Sequence, residues 1–582
     1  MRLLLLATAL FVSGCNCNGT ATIGGRRDGG ANNGGDGGNT VIPDGSTPLP
    51  DGGFTTCTSI CSDDLQASID CNGVRTQCPA GQGCSPTGCI DACAAAAAAG
   101  STIGCDFYAA AVPPQSETQG SCYSAFVANT WNGPITLNVQ RGTQTFDVST
   151  FARIPRQSGT TLTYEPLPTI DGGVMLPAGQ MAVLFLADWD YGGATPVYYV
   201  GCPSPPALRA EFQLDGTGQT PSFHITTSAP VVAYDMYPYG GADSHVSSSS
   251  LLIPTSAWGT NYVGATPADS LAGIMFPYLQ VYGSQDNTQV AIQAPVAIQG
   301  GGGLSGAAAN TVARYTVGRG QVLQLSQAAQ LSGALIKSDK PIAVWGGHAC
   351  MQVPLGVQAC DSGHQQLPAV PLLGNEYLAV RHKARSGNEP AIWRFVGAVD
   401  GTQLTYDPPV GGPTTLNAGQ TVNFTSAGPF KVSSQDASHI FYVSQLMTGG
   451  ESAGNLGDPD FVNIVPWQQY LKSYLFFTDA TYTSTDLVFV RPLGSDNQYH
   501  DVTLDCLGVV GNWFGIGGSN YQYARVSWTR TSAGCTNGVH TARSDAPFGL
   551  TVWGTDSYTS YGYPAGMSVR PINTVVVGPE IN

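Results

Sequence analysis

Beyond residue 120 the chain alternates apolar and polar residues in short bursts, and the bursts recur in a fixed order. An apolar strand runs into a tight turn and a second strand from Leu279 to Val290 and again from Trp393 to Leu404. The two stretches align without a gap, 114 residues apart. Asp286-Asn287 and Asp400-Gly401 sit at the turns, where positive φ closes a hairpin. Phe126 to Gly133 opens a looser first copy and Leu487 to Val490 a fourth. Next comes a Gly-Gln pair ahead of an alternating strand, at Gly179-Gln180, Gly320-Gln321 and Gly419-Gln420. Period-two stretches such as Val322 to Leu325 predict half-buried strands.

A Ser-Asp-x-Pro strand follows at Ser338-Asp339-Lys340-Pro341 and Ser544-Asp545-Ala546-Pro547, with Thr227 to Pro230 as its first copy. Ser433 to Val443 is a degraded copy without proline. Each unit closes on a proline and a tyrosine: Pro254 with Tyr262, Pro368 with Tyr377, Pro466 with Tyr474. The recurrence predicts an all-β fold of tandem antiparallel sandwich-like repeats over 107–266, 267–383, 384–480 and 481–582. A β-propeller built from the same repeats is the alternative, because meandering blades give the same periodicity.

The N-terminal stretch follows different rules. Met1-Arg2, an apolar run from Leu3 to Val12 and Ser13-Gly14-Cys15 predict a lipoprotein signal peptide over 1–14, with Cys15 as the lipidated residue. Residues 15–53 are nearly all Gly, Asn, Asp, Thr and Pro, too poor in buriable surface to offset backbone ordering, and predict a flexible tether. No second apolar stretch approaches membrane-spanning length, so the lipid is the expected membrane contact.

Sixteen cysteines in an exported chain predict disulfides. Eight lie between Cys57 and Cys105, within a small module over 54–106 that has too few large apolar residues to build a core unaided. That module has no His and no C-x2-C, which argues against zinc, and its internal pairing is open. Cys122–Cys202, Cys350–Cys360 and Cys506–Cys535 are expected pairs, because each couple flanks one candidate β-unit.

The chain carries 74 Gly, 39 Pro, 11% charged residues and a formal charge of −16. With 23 Lys and Arg and no basic run, a nucleic-acid partner is not expected. No zinc-protease helix or Walker loop occurs, so no catalytic residue is assigned and an enzyme is not expected. His348 and His364 flank the expected Cys350–Cys360 bridge, and are read as loop residues that are exposed or hydrogen-bonded. Asp188-Trp189-Asp190-Tyr191 and Asp458-Pro459-Asp460 are read as solvated turns. No cofactor or metal is assigned, with structural calcium as the one possibility. Tyr558, Tyr561 and Tyr563 lack strand alternation and are the expected exposed binding patch.

The stretches Phe126 to Trp131, Tyr239 to Ala242, Leu252-Ile253-Pro254, Trp258 to Tyr262, Ser338 to Val344, Gly347-His348, Ala359-Cys360-Asp361 and Gln366-Leu367-Pro368 resemble the N-terminal domain of the IgGFc-binding protein family. That family occurs in animal mucus proteins and in lipoproteins of myxobacteria-like bacteria. The resemblance covers most of 120–575 and implies an adhesive β-fold without a catalytic motif. The expected function is a lipid-anchored surface protein, at the outer membrane or cell surface, presenting β-repeats to an extracellular protein or glycan. A structural envelope protein without a discrete ligand and an unrecognised extracellular hydrolase are the alternatives.

Overall fold

The computed structural model describes residues 59–581 except 160, 191–195, 388 and 533, together with the short antiparallel strands Ser46–Pro48 and Phe54–Thr56. The signal peptide, Cys15 and most of the expected tether lie outside the described residues. The chain divides after residue 57; the rest of this subsection concerns the described residues of the second part.

Four β-units follow one another, each built on one plan. In the second unit the long strand Leu335–Met351 pairs through its first half with Gly259–Val263 and Thr288–Gln293. Its second half pairs with Pro277–Gly283 and Asp361–Leu367. The strand therefore crosses from one layer to the other, and Pro341, which has no N–H to give a ladder, sits where it changes sheet. Phe223–Tyr237 and Gly538–Asp556 do the same in the first and fourth units, with Pro230 and Pro547 near the crossing.

The third unit lacks that proline, and here the strand is broken. Phe430–Ser434 pairs with Glu376–Ala379 and Thr402–Asp407, whereas Phe441–Met447 pairs with Ile392–Gly397 and Asp460–Asn463. Between them Asp436 Oδ1 accepts the Ser438 N–H at 2.8 Å and lies 2.8 Å from His439 Nδ1, folding the segment into a side-chain-capped turn. Trp393, Phe395, Phe430, Val432, Phe441 and Val443 fill the space between the two four-stranded sheets as one buried cluster. This is sandwich packing.

Each unit's last strand faces inward: Ser248–Leu252, Asp361–Leu367, Asp460–Asn463 and Thr559–Pro564. The first touches the second, the second the third, the third the fourth and the fourth the first, so the units close into a ring. Each seam has apolar packing of its own. Tyr282 and Trp345 join the core of the first unit, and Val396 and Phe461 that of the second. Met447 and Val462 pack with Val488 and Trp553, and Phe126 stacks on Phe477. The all-β repeat architecture is as the alternation implied; its units are sandwiches, and their closure about an axis has the character of a propeller.

The tyrosines of the proline-tyrosine stretches lie on the first strand of the following unit instead of closing their own, and have one shared task. Tyr262 OH accepts the Gly259 N–H at 3.0 Å and donates to Ile342 O at 2.6 Å. Tyr377 does the same with Gly374 and Phe441, and Tyr474 with Leu471 and Phe548. Each hydroxyl pins the first strand of a unit to the crossing point of its long strand. All three tyrosines are buried. Tyr377→Phe leaves a buried N–H and a buried C=O without partners, and is expected to cost about 1–3 kcal/mol. A urea titration of the variant against the parent checks this.

The cysteine-rich module carries the bridges Cys61–Cys84, Cys78–Cys89 and Cys93–Cys105, and Cys71 is also disulfide-bonded. Its alanine run forms the helix Ala92–Ala99, capped by the Asp91 carboxylate on Ala94 N–H and ended by Gly100 at φ 68°. The final residues run back over the ring, where Asn261 exchanges two hydrogen bonds with Val577.

Candidate functional site

The inner strands build a polar axis. Gln365 Nε2 donates to Ser249 O and Gly562 O, Gln366 N–H to Ser250 Oγ, and Asn463 Nδ2 to Gln366 O, at 2.7 to 3.1 Å. At the end where these strands begin, Ser560 N–H donates to Asp361 Oδ2 at 3.1 Å and Ser560 Oγ to Asp458 O at 2.6 Å. Asp361, Asp458 and Asp460 are fully buried, and one oxygen of each has no hydrogen-bond partner. Burial drives all three carboxyls upward, Asp458 to about 6, and at Asp361 the neighbouring Asp458 and Asp460 act in the same direction as burial. Asp458-Pro459-Asp460 is therefore not a solvated turn: ring closure covers it. Asp188 is also buried, accepting the Cys202 N–H at 3.0 Å and pairing with Arg209.

Beside the axis His364 lies 2.7 Å from Tyr278 OH and 3.2 Å from Asp235 Oδ2, and Tyr123 OH donates to the same oxygen at 2.9 Å. All four side chains are buried. His348 is buried too, with the Cys350 N–H on its Nδ1, and burial lowers it to about 4. Tyr561 and Tyr563, expected in an exposed patch, are buried on the fourth inner strand. Tyr561 OH accepts the Asp479 N–H and Tyr563 OH donates to Phe477 O. Their lack of alternation reflects a strand covered on both faces. Tyr558 is half-buried at φ 52°.

The sulfurs of Cys122 and Cys202, Cys350 and Cys360, and Cys506 and Cys535 are bonded. The last bridge bears on the one grouping of metal-ligand type among the described residues, Asp505, Cys506 and His540. Cys506 has no free thiolate to offer, and Asp505 and His540 hydrogen-bond each other at 3.0 Å.

Open space lies at the seams. Between the third and fourth units a cleft of about 350 Å³ is lined by His382, Arg385, Asp486, Trp528 and Trp553. Between the second and third units a cleft of about 230 Å³ has one wall from Asn423, Phe424 and Thr425 and another from Gln352 to Leu355. The second wall belongs to the loop clamped by Cys350–Cys360, and Leu355 on it is 65% exposed.

Arg394 lines this smaller cleft. It is 2% exposed. Its Nε donates to Asn423 Oδ1 and its Nη1 to Gln330 Oε1, both at 2.9 Å, and Nη1 also to Thr266 O. Burial lowers the guanidinium to about 10, so it stays charged at neutral pH; Asp269 favours the charge without forming an ion pair. Alternation alone gave no sign of Arg394. The gapless alignment did contain one, since Gln280 stands at the matching position.

Removing the Cys350–Cys360 bridge with a Cys350→Ser/Cys360→Ser double variant is expected to loosen this wall while leaving the ring folded. Hydrogen exchange should rise across 351–359 and stay unchanged across 392–397.

The sequence model of a family described as IgGFc binding protein matches residues 248–554, from the first inner strand into the fourth unit. The chain is also similar to the IgGFc-binding protein of Homo sapiens, 26% identical over 322 residues, which cover 54% of this chain and 6% of that protein. The chain thus matches only a small part of that relative's length. No solved structure matches.

Proposed function

Since the chain belongs to the IgGFc-binding protein family, we propose that it is an exported, lipid-anchored surface protein that binds an extracellular protein through the seams of its β-ring. The observation that carries this reading is the extent of the family match. It spans the second and third units entire, together with the open cleft between them. The disulfides suit an oxidising, extracellular setting. Cys15 after Ser13-Gly14, and the glycine-rich stretch behind it, support an anchor with reach. Arg394, Trp528 and Trp553, which line these clefts, are of the residue types that carry binding energy in protein interfaces.

Two measurements test the proposal. Palmitate labelling of the full chain in a bacterial host should mark the protein and be abolished by Cys15→Ser. Surface plasmon resonance of the purified chain against immunoglobulin Fc and a panel of secreted glycoproteins, with calcium and with chelator, should give saturable binding to at least one. Self-association with no binding to any panel member would replace recognition with a structural envelope role.

A further inference from the structure

The strand Thr421–Thr425 is the outer edge of its sheet. Its counterparts in the other three units are all covered. Gln321–Ser326 is paired on its outer side by Gly218–Pro221, Met181–Asp188 by Ala152–Ser158, and Tyr521–Thr529 by Phe514–Gly515. Thr421–Thr425 has Ile392–Gly397 on one side, and among the described residues no backbone hydrogen bond on the other. Asn423 and Thr425 are exposed, and this bare edge forms one wall of the cleft that Arg394 lines.

The second unit shows what such an edge accepts. There Gln280 and Gln324 face each other across the strands, as Arg394 and Asn423 do in the third. Gln280 Nε2 donates to Gln324 Oε1 at 2.9 Å, and Gln324 Nε2 donates to Leu214 O at 2.8 Å and Gly216 O at 2.7 Å. Those two carbonyls belong to the segment that leads into the covering strand. A neutral amide pair thus receives the neutral carbonyls of an added strand. In the third unit the amide is replaced by a guanidinium and the added strand is missing. Arg394 has hydrogen-bond partners but no ion pair among the described residues, with Asp269 near enough only to favour its charge, so an incoming carboxylate would supply the missing direct countercharge.

We infer that the edge Thr421–Thr425 docks an extended segment of a protein partner, which pairs antiparallel as an added strand and sets a Glu or Asp carboxylate on Arg394. Main-chain hydrogen bonds supply the general affinity, and the guanidinium selects the acidic residue. Leu355 on the facing wall offers an apolar contact for a neighbouring side chain. This inference rests on the protein-recognition reading and narrows it to one site and one chemistry.

The test uses the full chain and three fluorescent nonapeptides in an anisotropy titration. One is Ser-Thr-Val-Thr-Glu-Thr-Val-Thr-Ser, the second has Gln in place of Glu, and the third is the Glu peptide with alternate backbone amides methylated. The Glu peptide is expected to bind at least about 10-fold more tightly than the Gln peptide. The methylated peptide should not bind. Arg394→Gln, which installs the residue that the second unit uses at this position, should keep the Tm and make the Glu and Gln peptides equal.

Equal affinities on the parent chain, undiminished binding of the methylated peptide, or no binding of the Glu peptide at about 1 mM would overturn the inference. A protein ligand that binds the chain but is not displaced by the Glu peptide would sink this inference and leave the broader reading standing. Peptide binding as expected, with no protein ligand found, would do the reverse.

Discussion

Replacing Glu389 with alanine is expected to lower the free energy of unfolding by about 3–5 kcal/mol at neutral pH. Glu389 is 3% exposed. Its Oε1 accepts from Arg385 Nη2 at 2.6 Å and Nε at 2.9 Å and lies 2.8 Å from His382 Nε2, while its Oε2 accepts the Arg385 N–H at 2.7 Å. Burial opposes ionisation here, but the His382 and Arg385 interactions outweigh it and hold the carboxyl well below its usual range. Arg385 in turn reaches Thr448 O and Leu456 O, at 2.6 and 2.9 Å, and so fastens the segment between the first two strands of the third unit to its inner side. Without Glu389 a buried guanidinium loses its only ion-pair partner among the described residues. The loss should show as a shifted urea midpoint, and Glu389→Gln, which retains hydrogen-bonding capacity, should lose less.

The effect has a pH signature. A carboxyl whose folded value is depressed contributes stability above its unfolded value, near 4.5, and that stability fades as the pH falls below it. The difference between Glu389→Ala and the parent should therefore shrink on acidification from pH 5 toward pH 3. A difference that stays constant over that range would mean that packing, not charge, holds the segment.

How much of this was open to a reader of the sequence depends on which force set each residue. Strands that bury one face announce themselves by alternation, and the hairpins at Asp286-Asn287 and Asp400-Gly401 by their turn chemistry. The broken long strand was visible too, as a copy of the Ser-Asp-x-Pro stretch without its proline. The ring was not. Ser248-Ser249-Ser250 and Asp361-Ser362-Gly363-His364-Gln365-Gln366 carry no apolar mark of burial, because each is covered only when four units meet. Asp458 and Asp460 were hidden for the same reason, as their burial is a property of the assembly and not of their own segment. Tyr561 and Tyr563 misled in the opposite sense, since a strand covered on both faces loses the alternation that marks a strand. The open edge at Thr421–Thr425 needed the pairing pattern of all four units, which no local window contains.

That hidden polar axis makes the second large prediction: its raised carboxyls should take stability from the folded chain as the pH rises from 4 to 8, while His348, lowered by burial from 6.5 to about 4, works the other way between those two values. Burial raises Asp458 to about 6, against the N–H groups of Gly450 and Ala359 and the charge of Arg385, and raises Asp479 to about 6 against Thr481 and Arg530. Burial raises Asp361 and Asp460 as well. In the unfolded chain these groups ionise near 3.8, so unfolding releases protons across this range and is favoured by rising pH. For Asp458 the loss begins near 3.8 and is complete once the pH has passed about 6, which amounts to about 3 kcal/mol. Glu389 works in the other direction below 4.5 and His348 between about 4 and 6.5, so the carboxyl contribution is read from a variant of the axis itself. Asp458→Asn tests the origin of the slope. Its side-chain oxygen can still accept from Gly450 and Ala359, and its NH2 replaces the oxygen that has no partner. The variant should match the parent at pH 4 and exceed it by about 2–3 kcal/mol at pH 8. Parallel stability curves for the two proteins across that range would show that the axis ionises without penalty, and that some countercharge other than Arg385 reaches it.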